Sequence, residues 1–274
     1  MKRFMNLRPS RGATLFLGLL PFIIVAVFYL VASDMRLSEN PNDKLLPSMA
    51  SFSEAIDRMA FTPSKRTGEI LFIGDTVSSL ERLGLGVLIS AVLAMLIGIP
   101  LGFIPFLRAG LSPFVAAFSM VPPMAILPIL FIVFGMGELA KVALIVIGVT
   151  PLLVRDMQQR VSEIPVEQLI KAQTLGGSSW TIVMRVVLPQ VFPRLLDAVR
   201  ITLGTAWIFL ISAEAIAATE GLGYRIFLVR RYMSMDVILP YVAWITFLAF
   251  LFDFALKKLT YKLFPWYTAG KEGA

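Results

Sequence analysis

Uncharged apolar runs separated by short charged stretches lay out the chain. Residues 14–33 hold no Asp, Glu, Lys or Arg, and at about 1.5 Å per helical residue they cover the roughly 30 Å of a bilayer's hydrocarbon. This run exceeds the about 7–15 residues of a signal-peptide core, so it reads as a first span, not a cleaved leader. Residues 34–82 turn polar, with Pro41, Pro47, Pro63 and Gly68 as breakers. Within them a short amphipathic helix is expected to open at Pro47, Ser51 or Ser53 and to run through Met59, carrying Phe52, Ile56 and Met59 on one face as a cap.

A second span follows at 83–107, where Gly84, Gly86, Gly98 and Gly102 permit close helix approach. The third, 109–134, contains Pro113, Pro122, Pro123 and Pro128. Pro122-Pro123 removes two amide donors, so this span is expected to break there. Such a break lines a translocation path as readily as it makes a plain kink. The fourth span, 138–157, has a short uncharged centre that Lys141 and Arg155 extend by snorkelling to opposite interfaces. Then come a basic loop at 158–194, a fifth span at 198–219 carrying Glu214, and a sixth at 237–258. Residues 83–262 form the five-helix core, and 263–274 a tail.

Charge orients these spans. Lys2, Arg3, Arg8 and Arg11 place residues 1–13 in the cytoplasm by the positive-inside rule. The alternation then puts 34–82 outside and the 158–194 loop and the tail inside. Fifteen of the 25 basic residues fall on inner segments and 12 of the 18 acidic ones outside. Composition supports an all-α membrane protein of six transmembrane helices in contact with lipid. Apolar residues make up 57% and mean hydropathy is +0.80, above what soluble domains carry. In a membrane protein the net charge of +7 speaks to topology and not to nucleic acid. The chain has neither Cys nor His, so thiolate chemistry, the commonest metal ligand and the commonest general base are all absent. No catalytic, metal or cofactor residue is assigned.

The central loop carries the chemistry of interaction. Pro165 suits a first helical turn, and Val166, Leu169, Ile170 and Gln173 recur at helical spacing up to Gly176. Ser178 or Ser179 then caps a second helix, which Leu188-Pro189 is expected to end. The resulting helix-Gly-helix elbow mixes Leu175, Trp180 and Met184 with Lys171, Arg185 and Arg194. An apolar knob in a basic rim suits a groove on a partner protein, or equally a headgroup surface.

Ala172, Gly176, Val186, Leu188 and Pro189 stand at the spacing of the EAA signature, although Ile170 replaces its Glu and Lys171 its first Ala. Further matches are Ser78-Ser79-Leu80-Glu81-Arg82, Val121-Pro122-Pro123 with Leu127-Pro128, Phe134-Gly135 with Gly137-Glu138, and Ala213-Glu214 with Gly221-Leu222-Gly223. The chain thus resembles the permeases of binding-protein-dependent ABC importers, in their taurine, nitrate and sulfonate branch. That resemblance implies a type I, MetI-like fold in the inner membrane, a second copy of the chain, two cytoplasmic ATPase subunits and an extracytoplasmic binding protein. ATP and Mg would be handled by the ATPase, for the chain has no phosphate-binding loop of its own. It also makes 172–189 the coupling element, with Lys171, Ala172, Leu175, Gly176, Trp180, Arg185, Leu188 and Pro189 as its residues. The solute would be small and nitrogen- or sulfur-containing; Thr67-Gly68-Glu69 hints at a urea- or guanidine-like one.

Glu214 and Asp253 are the acids closest to the bilayer. Glu214 is expected to pair with Arg82 or Arg225, as a structural pair or a gate, and Asp253 with Lys257 one turn on. With Pro122 and Pro123, Arg82 and Glu214 are the candidates for the path or its gate. The competing reading is a self-sufficient secondary transporter or channel that uses Glu214 and Asp253 for ion coupling.

Overall fold

The computed structural model describes residues 10–41, 43–63 and 68–267. Lys2, Arg3, Arg8, Thr67 and the tail beyond 267 lie outside the described residues. All elements within them are helical.

Helix α1 (Arg11–Glu39) begins where the Ser10 hydroxyl accepts from the Ala13 N–H at 3.3 Å. It outruns the expected span because nothing in 34–39 breaks a helix, charges included. Tyr29 packs against Phe52 of the next helix, but no residue of the most apolar window of α1 is buried. Its far end is tied to the following turn: Tyr29 Oη donates to the Pro47 carbonyl (2.8 Å), Ser33 Oγ to that of Leu46 (3.0 Å), and Arg36 pairs with Asp43. Helix α2 (Met49–Ile56) is capped by Ser48, whose hydroxyl accepts from the Ser51 N–H at 3.2 Å. This corrects the three expected starts. Pro47 has no side-chain oxygen to offer, and Ser51 and Ser53 already lie inside the helix. A π turn, Asp57–Phe61, completes it.

Helix α3 (Leu71–Phe103) starts twelve residues before the apolar run. At about 1.5 Å per residue its 33 residues extend about 50 Å, more than hydrocarbon alone demands, so its charged first turns stand at the membrane edge. Asp75, Ser79, Arg82, Gly86, Ser90, Ala94, Gly98 and Gly102 form one buried stripe down it. Helix α6 (Glu138–Ser162) packs along that stripe. A Cβ on Gly86 would lie 2.6 Å from Ile145 Cγ2, and one on Gly98 2.6 Å from Met157 Cβ. Small residues every fourth position are what allow the two axes to come this close.

Proline sets the helix starts. The residue before a proline is pushed to extended conformation, and Ile104 and Pro122 adopt it. Helices α4 (Pro105–Phe118) and α5 (Pro123–Phe134) thus begin on a proline whose missing N–H costs nothing. They meet at 90°.

The elbow comprises α7 (Val166–Thr174), α8 (Ser179–Ile182) and a π turn, Val183–Val187, which passes directly into α9 (Leu188–Ala217). Leu188-Pro189 therefore does not end the second helix. The widened π turn accommodates the proline ring at the preceding turn, and Gln190 Nε2 donates to the Val186 carbonyl at 2.8 Å. One helical run from Ser179 to Ala217 results, so the loop is shorter than 158–194. A short helix, α10 (Leu222–Arg230), folds back before α11 (Met235–Leu263).

By length and apolarity four helices can cross a bilayer, or five if the bent α4–α5 pair is one span. Helix α6 is too polar to count among them, but it lies innermost, with Leu144, Ile145, Val149, Leu153 and Met157 fully buried. α3, α5 and α9 cover it.

Candidate functional site

Two assemblies stand at opposite ends of α9. From Leu188 to Glu214 the helix rises about 39 Å.

At the first end, Gly176 has φ +81°, a left-handed turn that side-chain-bearing residues avoid. It lets the Gly176 N–H reach the Gln173 carbonyl (2.9 Å) and the Gly177 N–H that of Ala172 (3.0 Å). A Cβ on Gly177 would lie 2.8 Å from that Ala172 oxygen. Ser178 caps α8, accepting from the Thr181 N–H at 3.2 Å. Ile182 and Val187 are buried, and Ala172, Leu169 and Leu188 pack on the core edge. Gln190 Nε2 meets Gln168 Oε1 at 3.1 Å, holding α7 against α9. On the outward side Leu175 is 81% and Trp180 71% exposed. Lys171, Arg185 and Pro189 are exposed beside them. The elbow is thus a rigid, capped turn that presents large apolar side chains among cations.

At the other end the top of the α3 stripe is polar. Arg82 Nη1 donates to Glu214 Oε1 at 2.8 Å and to the Glu220 carbonyl at 3.0 Å. Its other nitrogens clasp Glu138, Nη2 to Oε1 at 2.9 Å and Nε to Oε2. Lys141 Nζ joins Glu138 Oε1 at 2.7 Å. Lys141 is buried rather than snorkelling, since a partner inside the bundle replaces the water it would seek. Glu214 is fully buried, and it also accepts from Ser79 Oγ (2.7 Å) and the Gly223 N–H (2.8 Å).

Asp75 completes the cluster. It accepts from the Gly221 N–H (3.0 Å), Arg225 Nε (2.7 Å) and Tyr241 Oη (3.1 Å), while the Leu222 N–H donates to Ser79 Oγ at 2.8 Å. Four acids, Asp75, Glu138, Glu214 and the more exposed Glu220 (3.8 Å from Arg82 Nη2), gather around three cations, Arg82, Lys141 and Arg225. The start of α10, with its amides and positive dipole end, caps the two buried carboxylates. Gly221 has φ +123°, and a Cβ there would lie 2.6 Å from Glu214 Cδ and 2.8 Å from Arg82 Nη1.

The structure therefore brings Arg82 and Glu214 together, and assigns Arg225 to Asp75 instead. Pro122 and Pro123 form the α4–α5 bend, a helix length of about 18 Å away from the Glu138 end of α5. Asp253 does not pair with Lys257. Arg200 Nε and Nη2 take its two oxygens at 3.0 and 3.1 Å, a two-pronged grip between helices that a single flexible ammonium on the same helix does not match. Arg155 reaches Ser119 Oγ at 2.9 Å. Asp75 and Ser79 are not read as site residues from the sequence, nor are Glu138, Lys141 and Tyr241; Ser79 and Glu138 enter there only as family matches and Lys141 only as a snorkelling end. The signal for the first two was present, since 75, 79 and 82 share one helical face. Among the described residues no group of three or more acidic side chains is placed to hold a metal ion.

Residues 86–266 match the family described as the binding-protein-dependent transport system inner membrane component. The chain belongs to this family. It is 34% identical over 190 residues to the taurine transport system permease protein of Escherichia coli (strain K12), covering 69% of each chain. It is 30% identical over 148 residues to the nitrate import permease protein of Synechococcus elongatus, 54% of this chain and 53% of that one. Its fold is that of the inward-facing MetNI methionine ABC transporter, with a TM-score of 0.62 at 22% identity over 72% of this chain and 97% of that one. As an ABC importer permease of the taurine, nitrate and sulfonate branch, the chain is a multi-pass protein of the inner membrane. Both the elbow and most of the charge cluster lie within the matched segment, while Asp75, Ser79 and Arg82 precede it.

Proposed function

We propose that this permease forms, with a second copy of itself, the translocation path of an ATP-driven importer, and that the elbow couples it to a separate ATPase. In this reading α6 also crosses the membrane as the fourth of six spans, both termini are cytoplasmic, and an extracytoplasmic binding protein delivers the solute. Two ATPase subunits receive Leu175 and Trp180 in a cleft, with Lys171 and Arg185 meeting acidic groups at its rim and Ala172, Gly176, Leu188 and Pro189 fixing the turn. The solute is a small anion or zwitterion, as the names of the taurine and nitrate relatives support.

The observation that carries this reading is the continuity from elbow to charge cluster. A rigid, exposed turn is fused without a break to a helix whose other end is locked by Glu214, so displacement at the elbow moves α9 as a lever. The cluster favours this over the secondary transporter. Glu214 and Asp253 are each held by an arginine, and a coupling acid must gain and lose a proton in turn. The test is uptake of radiolabelled taurine or nitrate into proteoliposomes holding the permease with and without its ATPase and binding protein. Uptake should require all of them and ATP. Accumulation by the permease alone under a proton gradient would overturn the reading.

A further inference from the structure

Where α2 and its π turn lean on α11, they enclose an apolar cavity of about 430 Å³. Met59, Phe61, Phe72, Ala243, Trp244 and Phe247 line it, and Asp236 is the charged residue at its mouth. A second, polar recess opens beside it, lined by Lys44, Arg58, Asp43 and the same Asp236. The two thus form one amphipathic groove. From Asp236 to Phe247 the cavity follows α11 for about 16 Å, half of the roughly 30 Å of hydrocarbon. That is the depth of one leaflet.

We infer that this groove binds one phospholipid with a zwitterionic headgroup, its acyl chain against Trp244 and Phe247 and its headgroup in the polar recess. Lys44 and Arg58 are exposed and suit a phosphate. Asp236 suits an ammonium. Arg58 Nη2 stands 3.8 Å from Asp236, a loose ion pair that leaves both groups able to turn toward a headgroup. Asp43 is already taken up by Arg36 and the Leu45 N–H. With Asp43 held by Arg36, the recess offers Lys44 and Arg58 to a phosphate and Asp236 to an ammonium, so a headgroup carrying both signs finds a partner for each, which one carrying a single negative charge does not. The lipid would fill the gap between α2 and α11 and fasten the short helix to the bundle.

The test is native mass spectrometry of the full-length chain, delipidated in detergent and titrated with phosphatidylethanolamine or phosphatidylglycerol of identical tails. One phosphatidylethanolamine should bind ahead of all further lipid. Ala243→Phe, which fills the cavity from a membrane-facing position, and Arg58→Glu, which reverses the recess, should each weaken that first step by roughly tenfold and leave later steps unchanged. Circular dichroism should show helix content intact in both. Lipids that add without a distinct first step, or a first step unmoved by both variants, would mean ordinary solvation by the bilayer and overturn the proposal. Equal or tighter binding of phosphatidylglycerol would overturn the zwitterionic assignment.

Discussion

Arg82 illustrates how a buried charge is made tolerable: its guanidinium is 3% exposed, yet its donors meet Glu138, Glu214 and the Glu220 carbonyl. Glu138 is 61% exposed, but Glu214 and Arg82 are not, so removing either member of that pair leaves the other's charge in a site that water does not reach. Glu214→Ala or Arg82→Met alone is expected to cost about 3–5 kcal/mol, and the double change distinctly less than the sum. Thermal unfolding of the four purified proteins measures this, and additive losses would show that the pair is not coupled. Gly221→Ala is expected to lower the unfolding midpoint as well, since backbone strain of about 1–3 kcal/mol adds to the clash with Glu214. Gly110, which lies in open space in α4 with no positive φ, provides the control and should accept Ala without loss. Glu214 with Arg82 was legible in the sequence because a lone acid in an apolar run demands a cation. Asp75 was not, because its surroundings read as a polar outer segment, and only the extension of α3 carries it to the start of α10.

Among the elements, the elbow is the most local in origin. Pro165, Gly176 and Ser178 each act on their own turn, so start, stop and restart were all readable from residue types. Gly176→Pro is expected to abolish transport while the permease still inserts, because proline cannot adopt φ +81°. Surface expression and uptake, measured together, test it; normal uptake would remove the elbow from the coupling path. Leu175→Asp should release the ATPase from the purified complex with the permease's own melting unchanged, as the side chain touches little of its own chain. Co-purification is the readout. The second helix runs past Leu188-Pro189 for a physical reason. A proline breaks a regular α-helix, but the π turn before Leu188 relieves its ring and lets the run continue into α9.

At the scale of the whole molecule, α9 joins the elbow to the charge cluster, and α6 is enclosed by α3, α5 and α9. A rigid core of this kind moves as a body, which suits rocking between two states better than local proton exchange. Uptake is accordingly expected to follow ATP hydrolysis and to be insensitive to a collapsed proton gradient, which an uncoupler added to the proteoliposomes would check.

The sequence by itself determined the all-helical membrane character, the broken proline-rich segment, the elbow and the family, because each rests on hydropathy, backbone restriction or short-range spacing. Tertiary structure alone decided that α3 begins at Leu71, that Lys141 is buried, that Arg200 and not Lys257 holds Asp253, and that the amides opening α10 complete the cluster. The pairings concerned join residues up to 166 positions apart in the chain. A charge's partner is set by which helix faces meet, and that is fixed by the close approach that the Gly86, Gly98 and Gly102 stripe permits, not by anything adjacent in the sequence.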